Sequence, residues 1–172
     1  FDSTSDRIAY VGRSFYSDYI KKISVRTGTV TTGDTINIQV ETVTNGKPSG
    51  TLWSANGTGA APSGTVAIAD SDDNVWKTVT LTNVAVLLPE DEFAIVITHS
   101  SGATPALNFT AAPIGSIGFT GQYPMLWQDA GAGTWAALNG PANNIGALEW
   151  IVEMSTAGIV PMPGMLPSDG LF

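Results

Sequence analysis

A period of two runs through this chain and narrows what it can fold into. Ile36, Ile38 and Val40 alternate with Thr35, Asn37, Gln39 and Glu41. In an extended strand that pattern puts the apolar side chains on one face and the polar ones on the other. The same phasing places Val75, Lys77, Val79 and Leu81 between Trp76, Thr78 and Thr80, and Phe93, Ile95 and Ile97 between Ala94, Val96 and Thr98. Near the end, Leu148, Trp150, Val152 and Met154 interleave with Glu149, Ile151 and Glu153, and the stretches 8–11 and 20–25 follow suit. Threonine is abundant, as suits the solvent face of a sheet. Turn-forming clusters separate the runs: Thr-Gly-Asp at 32–34, Asn-Gly-Lys-Pro-Ser-Gly at 45–50, Ser-Asp-Asp-Asn at 71–74, Pro-Glu-Asp-Glu at 89–92 and Ser-Ser-Gly at 100–102. No convincing helical stretch is present. A chain of 172 residues can bury a core without disulfides or metals. Its pattern predicts an all-β fold, an antiparallel β-sandwich of jelly-roll-like form.

The pattern supports one sandwich domain over residues 1–157. From Ala111 to Pro141 the alternation weakens and Gly, Ala, Pro and aromatic residues take over, which predicts long loops and short strands at one end. Residues 158–172 carry Pro161, Pro163 and Pro167, which forbid a helix or a central strand. They read as an extended, Pro-rich C-terminal arm or a linker. The chain begins at Phe1 with no signal-like segment, so it is expected to be processed or part of a longer protein.

Charge excludes several functions. Seven Lys and Arg stand against 15 Asp and Glu, a net charge of −8. All the cations lie within the first 77 residues, and none occurs from Thr78 to Phe172. Binding a phosphate backbone or an anionic membrane surface requires cations, so neither nucleic acid nor membrane is an expected partner. No apolar run approaches the roughly 18 residues of a spanning helix. Cysteine is absent, which removes thiol catalysis, zinc–thiolate sites and disulfides together. The cation-free part from about Ala111 onward is where other subunits or ligands are expected to cover the protein.

The run Ile23-Ser-Val-Arg-Thr-Gly-Thr-Val-Thr-Thr-Gly-Asp-Thr, then Val40-Glu-Thr-Val, Gly46-Lys-Pro-Ser-Gly-Thr-Leu-Trp and Ile68-Ala-Asp-Ser-Asp-Asp-Asn-Val-Trp-Lys-Thr-Val-Thr-Leu-Thr, resembles a β-sandwich module of tailed-bacteriophage virion proteins. Such modules occur in tail fibres, tail-tip appendages and head-attached fibres. The resemblance covers residues 20 to 100 and is looser from Tyr123 to Pro167, where Tyr123-Pro, Gly133-Thr-Trp and Pro163-Gly-Met-Leu-Pro look like module landmarks. The run is also similar to carbohydrate-binding jelly rolls, although the Gly usual in their tight turn is missing from Pro89-Glu-Asp-Glu.

Two candidate sites emerge. Asp70, Asp72, Asp73 and Asn74 are the densest group of hard oxygen ligands. They suit Ca²⁺, which takes six to eight oxygens, or else a solvated turn. Otherwise no cofactor is expected. Tyr123, Trp127, Gln128, Asp129, Trp135, Asn139, Asn143 and Asn144 combine flat aromatic rings with amides and a carboxylate, the combination that holds sugars. The alternative is that the tryptophans fill the core or an inter-subunit seam, above all Trp76 and Trp150.

Catalysis finds little support. His99, the single histidine, reads as a loop residue at a strand end, and no nucleophile elbow accompanies it. Glu149 and Glu153 share a strand face about 13 Å apart, too far for either glycosidase geometry. With the resemblance above, which implies a virion role, the expectation is a non-enzymatic virion structural protein, acting through a homo-oligomer (a trimer by fibre analogy) and other virion proteins, and located in the virion. A carbohydrate-binding module or receptor-binding tip recognising a host-surface glycan, and a capsid decoration protein, are the alternatives.

Overall fold

The computed structural model describes residues 6–15, 17–54, 61–99, 106–109, 111–112, 126–128, 134–137, 147–148 and 150–156. Among these residues, thirteen strands follow in chain order: β1 (Arg7–Arg13), β2 (Asp18–Thr32), β3 (Asp34–Thr44), β4 (Lys47–Leu52), β5 (Ser63–Ile68), β6 (Trp76–Leu87), β7 (Glu92–His99), β8 (Ala106–Phe109), β9 (Ala111–Ala112), β10 (Leu126–Gln128), β11 (Ala136–Ala137), β12 (Ala147–Leu148) and β13 (Trp150–Thr156). No helix occurs among the described residues, and the strand pairs are antiparallel. The all-β, antiparallel reading holds.

One sheet runs β11-β10-β1-β7-β3-β4, with β5 beside β4 on the same flank of β3. A second runs β13-β2-β6, with β8 paired to β2, and β12 and β9 form a short ladder. Up to β8 the chain passes repeatedly between the two larger sheets, so strands adjacent in space, such as β3 and β7, are distant in sequence.

Both sheets feed one buried cluster. Ile36, Ile38 and Val40 of β3 and Phe93, Ile95 and Ile97 of β7 meet Ile20, Ile23 and Val25 of β2 and Val79, Leu81, Ala85 and Leu87 of β6. Ile20 and Ile23 are three apart, yet both are buried. A bulge explains this. Ile20 pairs with Met154 and Lys22 with Glu153, so Lys21 is an extra residue that resets the inward phase. β7 is buried on both faces: Ala94 and Val96 join Ala9 and Val11 in a second cluster on the other side of the seven-stranded sheet.

Turn chemistry sets the registers. Asn45 (φ 53°) and Gly46 (φ 71°) form a two-residue hairpin turn between β3 and β4. Both positions are left-handed, as this turn requires. Strand pairing resumes at Lys47, so the turn is tighter than the sequence expectation of 45–50. At the Pro89-Glu-Asp-Glu corner, Glu90 itself takes a left-handed φ of 75°. Its amide donates to the Ser14 carbonyl at 2.8 Å and its carboxylate pairs with Arg13. These bonds hold the conformation that a glycine would otherwise supply.

β6 ends its sheet and exposes an edge, a hazard for unwanted pairing. Half-buried Trp53 lies against the core and donates its Nε1–H to the Val86 carbonyl at 3.0 Å. Gly64 of β5 lies so close to β6 that a Cβ there would sit 2.5 Å from the Thr80 carbonyl oxygen. β5 and Trp53 together blunt that edge.

Candidate functional site

The outer face of the seven-stranded sheet carries a linked set of polar side chains. Alternation on β3 turns Ile36, Ile38 and Val40 inward and leaves Asn37, Gln39 and Glu41 on the outer face. Their partners on β7 are Thr98, Val96 and Ala94, and the next strand continues those rows with Ala9 and Val11. Because the intervening side chains are small, Arg7 of β1 reaches over β7. Its guanidinium donates to Glu41 Oε1 at 2.5 Å.

Glu41 has a fully buried side chain, whereas Arg7 remains a quarter exposed. A buried carboxylate needs every lone pair occupied. Glu41 Oε1 also accepts from Gln39 Nε2 at 2.6 Å, and Oε2 accepts from the Gly50 amide at 2.8 Å. Gln39 Oε1 in turn accepts from Asn37 Nδ2 at 3.0 Å. The Trp135 ring covers the guanidinium, its centroid 5.2 Å from Arg7 Cζ, within cation–π range. Trp135 also packs on the cluster of Ala9, Val11, Ala94 and Val96. The result is a partly exposed indole linked through the Arg7–Glu41 ion pair to a row of amides on the same face.

Of the residues expected to form a glycan patch, Trp135 therefore joins this arrangement directly. Gln128 and Trp127 lie on β10, in register with Arg7 and Ile8. Tyr123, Asp129, Asn139, Asn143 and Asn144 lie outside the described residues. Sequence reasoning did not include Arg7, Asn37, Gln39 or Glu41 in a site. The alternation did place the last three on one face, but nothing local pairs Arg7 with a carboxylate 34 positions away.

The acidic turn is stitched to β2 and to Gly33 between β2 and β3. Asp70 Oδ1 accepts from the Gly33 amide at 2.7 Å, Asp73 Oδ1 from the Val30 amide at 2.7 Å, and Asp72 Oδ2 from the Ala69 amide at 2.6 Å. Asn74 holds a left-handed φ of 56° and donates its amide to the Gly28 carbonyl. Lys77 Nζ lies 2.5 Å from Asp72 Oδ2. The Lys77 bond, helped by the Ala69 amide, holds the Asp72 carboxyl below its ordinary value of 3.8. Each carboxylate thus serves a different amide, and no group of three or more His, Cys, Asp or Glu suited to a metal ion converges among the described residues. The geometry is that of a turn-bracing cluster.

His99 ends β7 and is buried, where a loop residue was expected. Its Nδ1 lies 2.8 Å from Asp34 Oδ2, and Asp34 Oδ1 accepts from the Thr35 amide. The pair ties the end of β7 to the start of β3. Trp76, expected in the core or an inter-subunit seam, is 46% exposed on the outer face of β6. Phe15 and Leu88 are 72% and 54% exposed. They sit on neighbouring corners joined by bonds from the Ser14 amide to the Asp91 carbonyl and from the Glu90 amide to the Ser14 carbonyl.

No protein-family model, curated protein or solved structure matches this chain.

Proposed function

We propose that the chain is a non-enzymatic structural component of a tailed-phage virion, a fibre or appendage module that works by assembly. In this reading the sheets make a jelly-roll-like sandwich, residues 158–172 form an arm, and the partners are other copies of the chain and neighbouring virion proteins. The observation that carries the reading is how polar and apolar groups are deployed. The carboxylates of Asp34, Glu41, Asp70, Asp72, Asp73 and Asp91 each accept a backbone amide of the same chain. Large apolar side chains, Phe15, Leu88 and Trp76, face outward instead. Ionic chemistry spent internally and apolar groups presented on braced corners suit a surface that packs against protein. The sequence resemblance to virion modules supplies the setting.

Sedimentation equilibrium on the purified chain tests the assembly step. A closed homo-oligomer, a trimer by analogy with fibres, is expected; a monomer at tens of micromolar overturns it. Electron microscopy of virions decorated with an antibody to the chain tests the setting, with label expected on a fibre or appendage. Labelling confined to the capsid shell would assign the protein to decoration.

A further inference from the structure

We infer that the outer face of the seven-stranded sheet is a binding site for a neutral saccharide, centred on Trp135, Gln39 and Asn37. The inference goes beyond assembly and does not depend on it. Three features of the face support it.

The amides form a directed chain. Asn37 donates to Gln39, and Gln39 donates to Glu41. Each carboxamide has a second N–H, and Asn37 also retains its Oδ1 acceptor. Both residues are only partly buried, whereas the carboxylate that anchors them is fully buried. The row therefore presents donors and an acceptor from a fixed base, and vicinal hydroxyls, which both donate and accept, complement such a row. The anchoring also removes much of the ordering cost of binding.

The second feature is the aromatic wall. Trp135 is partly exposed on the same sheet face as the amide row, joined to it through Arg7, and one portion of it is held by Arg7 and by the small side chains of β1 and β7. A rigid indole next to convergent polar groups is suited to the C–H face of a pyranose ring.

The third is charge. Arg7 is the cation at the site, and Glu41 neutralises it at 2.5 Å. Asn37 and Gln39 carry no charge, and the whole chain carries −8. An anionic sugar finds no uncompensated cation there and meets an unfavourable long-range field. The site thus selects neutral sugars over sialylated or sulfated ones.

The test uses the full chain on a printed array of neutral gluco-, manno- and galacto-oligosaccharides, with sialyllactose and sulfated oligosaccharides as the acidic arm. Hits are followed by titration calorimetry. Binding to at least one neutral class is expected, with affinity falling about tenfold or more in the Asn37→Ala/Gln39→Ala variant, the loss of one or two hydrogen bonds. The urea midpoint of that variant is measured alongside. Trp135→Phe, which keeps an apolar ring on the small-residue cluster, is expected to weaken binding while preserving the fold. Three results overturn the inference: no neutral sugar bound by folded protein, binding of acidic sugars only, or neutral binding that the folded double variant leaves unchanged. None of these bears on sedimentation, so failure here and failure of the assembly reading remain distinguishable.

Discussion

At Glu41, a carboxylate with no solvent contact depends on Arg7, which keeps a quarter of its side chain in water. That asymmetry orders the outcomes of removing either partner. Arg7→Ala strands a buried charge that cannot rehydrate, at an expected cost of about 3–5 kcal/mol. Glu41→Ala frees a guanidinium that can turn to solvent, and is expected to cost about 2–3 kcal/mol, much of it from the Gly50 and Gln39 donors left unpaired. Urea unfolding of both variants checks the order; equal losses would contradict it. Asp72 supplies a pH signature. Its carboxyl is held below 3.8 by Lys77 and then by the Ala69 amide, so the folded state binds that proton more weakly than the unfolded state. The contribution is present above the ordinary value and is lost as pH falls through the lower folded one. Asp72→Asn is expected to flatten the dependence of stability on pH below about 4, read from thermal midpoints across an acid series. Asp72 finds Ala69 and Lys77 nearby in sequence, whereas the Arg7–Glu41 partnership is not written locally. Alternation assigns Glu41 to the polar face, and only the topology brings Arg7 across β7 to cover it.

Among the elements, legibility depended on whether a strand had one buried face or two. β3, with apolar and polar residues strictly alternating over 36–41, could be phased from sequence. For β7 the same phasing set Phe93, Ile95 and Ile97 on one face, as found, but the burial of the opposite face was not legible, because only Ala94 and Val96 mark it. The Lys21 bulge was equally silent, since an inserted residue breaks the period without any turn-forming signature. Asn45-Gly46 was legible because few dipeptides accept two left-handed positions. Close approaches between elements give a prediction at this scale. A Cβ at Gly33 would overlap the Ile68 carbonyl oxygen, where β2 turns into β3 beside the end of β5. At Gly46 there is open space, and only the left-handed φ of 71° resists a side chain. Gly33→Ala is therefore expected to cost about 2–3 kcal/mol, because backbone has to move. Gly46→Ala is expected to cost about 1 kcal/mol. Denaturation midpoints of the two variants decide whether steric overlap or φ strain destabilises the fold more.

For the molecule as a whole, composition and period were enough for the all-β, antiparallel class. They pointed to the part from about Ala111 onward as the covered surface, but not to the exposed apolar pair Phe15 and Leu88, because exposure depends on where corners meet. Phe15 and Leu88 are 73 positions apart in a chain whose β1–β2 and β6–β7 connections are bonded to each other through Ser14, Glu90 and Asp91. Glu90 accepts a left-handed φ there, and the Arg13 pair closes over it. Two exposed apolar side chains on so braced a corner contribute little to the stability of the isolated chain. In a contact with a second copy, burying them is worth about 1.5–3 kcal/mol per side chain. The Phe15→Ser/Leu88→Ser variant is accordingly expected to keep its thermal midpoint at dilute, monomeric concentration while self-association weakens a hundredfold or more, at about 1.4 kcal/mol per tenfold. Sedimentation over a concentration series reads both species. Unchanged association would move the contact to another surface, with exposed Trp76 on the outer face of β6 the next residue to substitute.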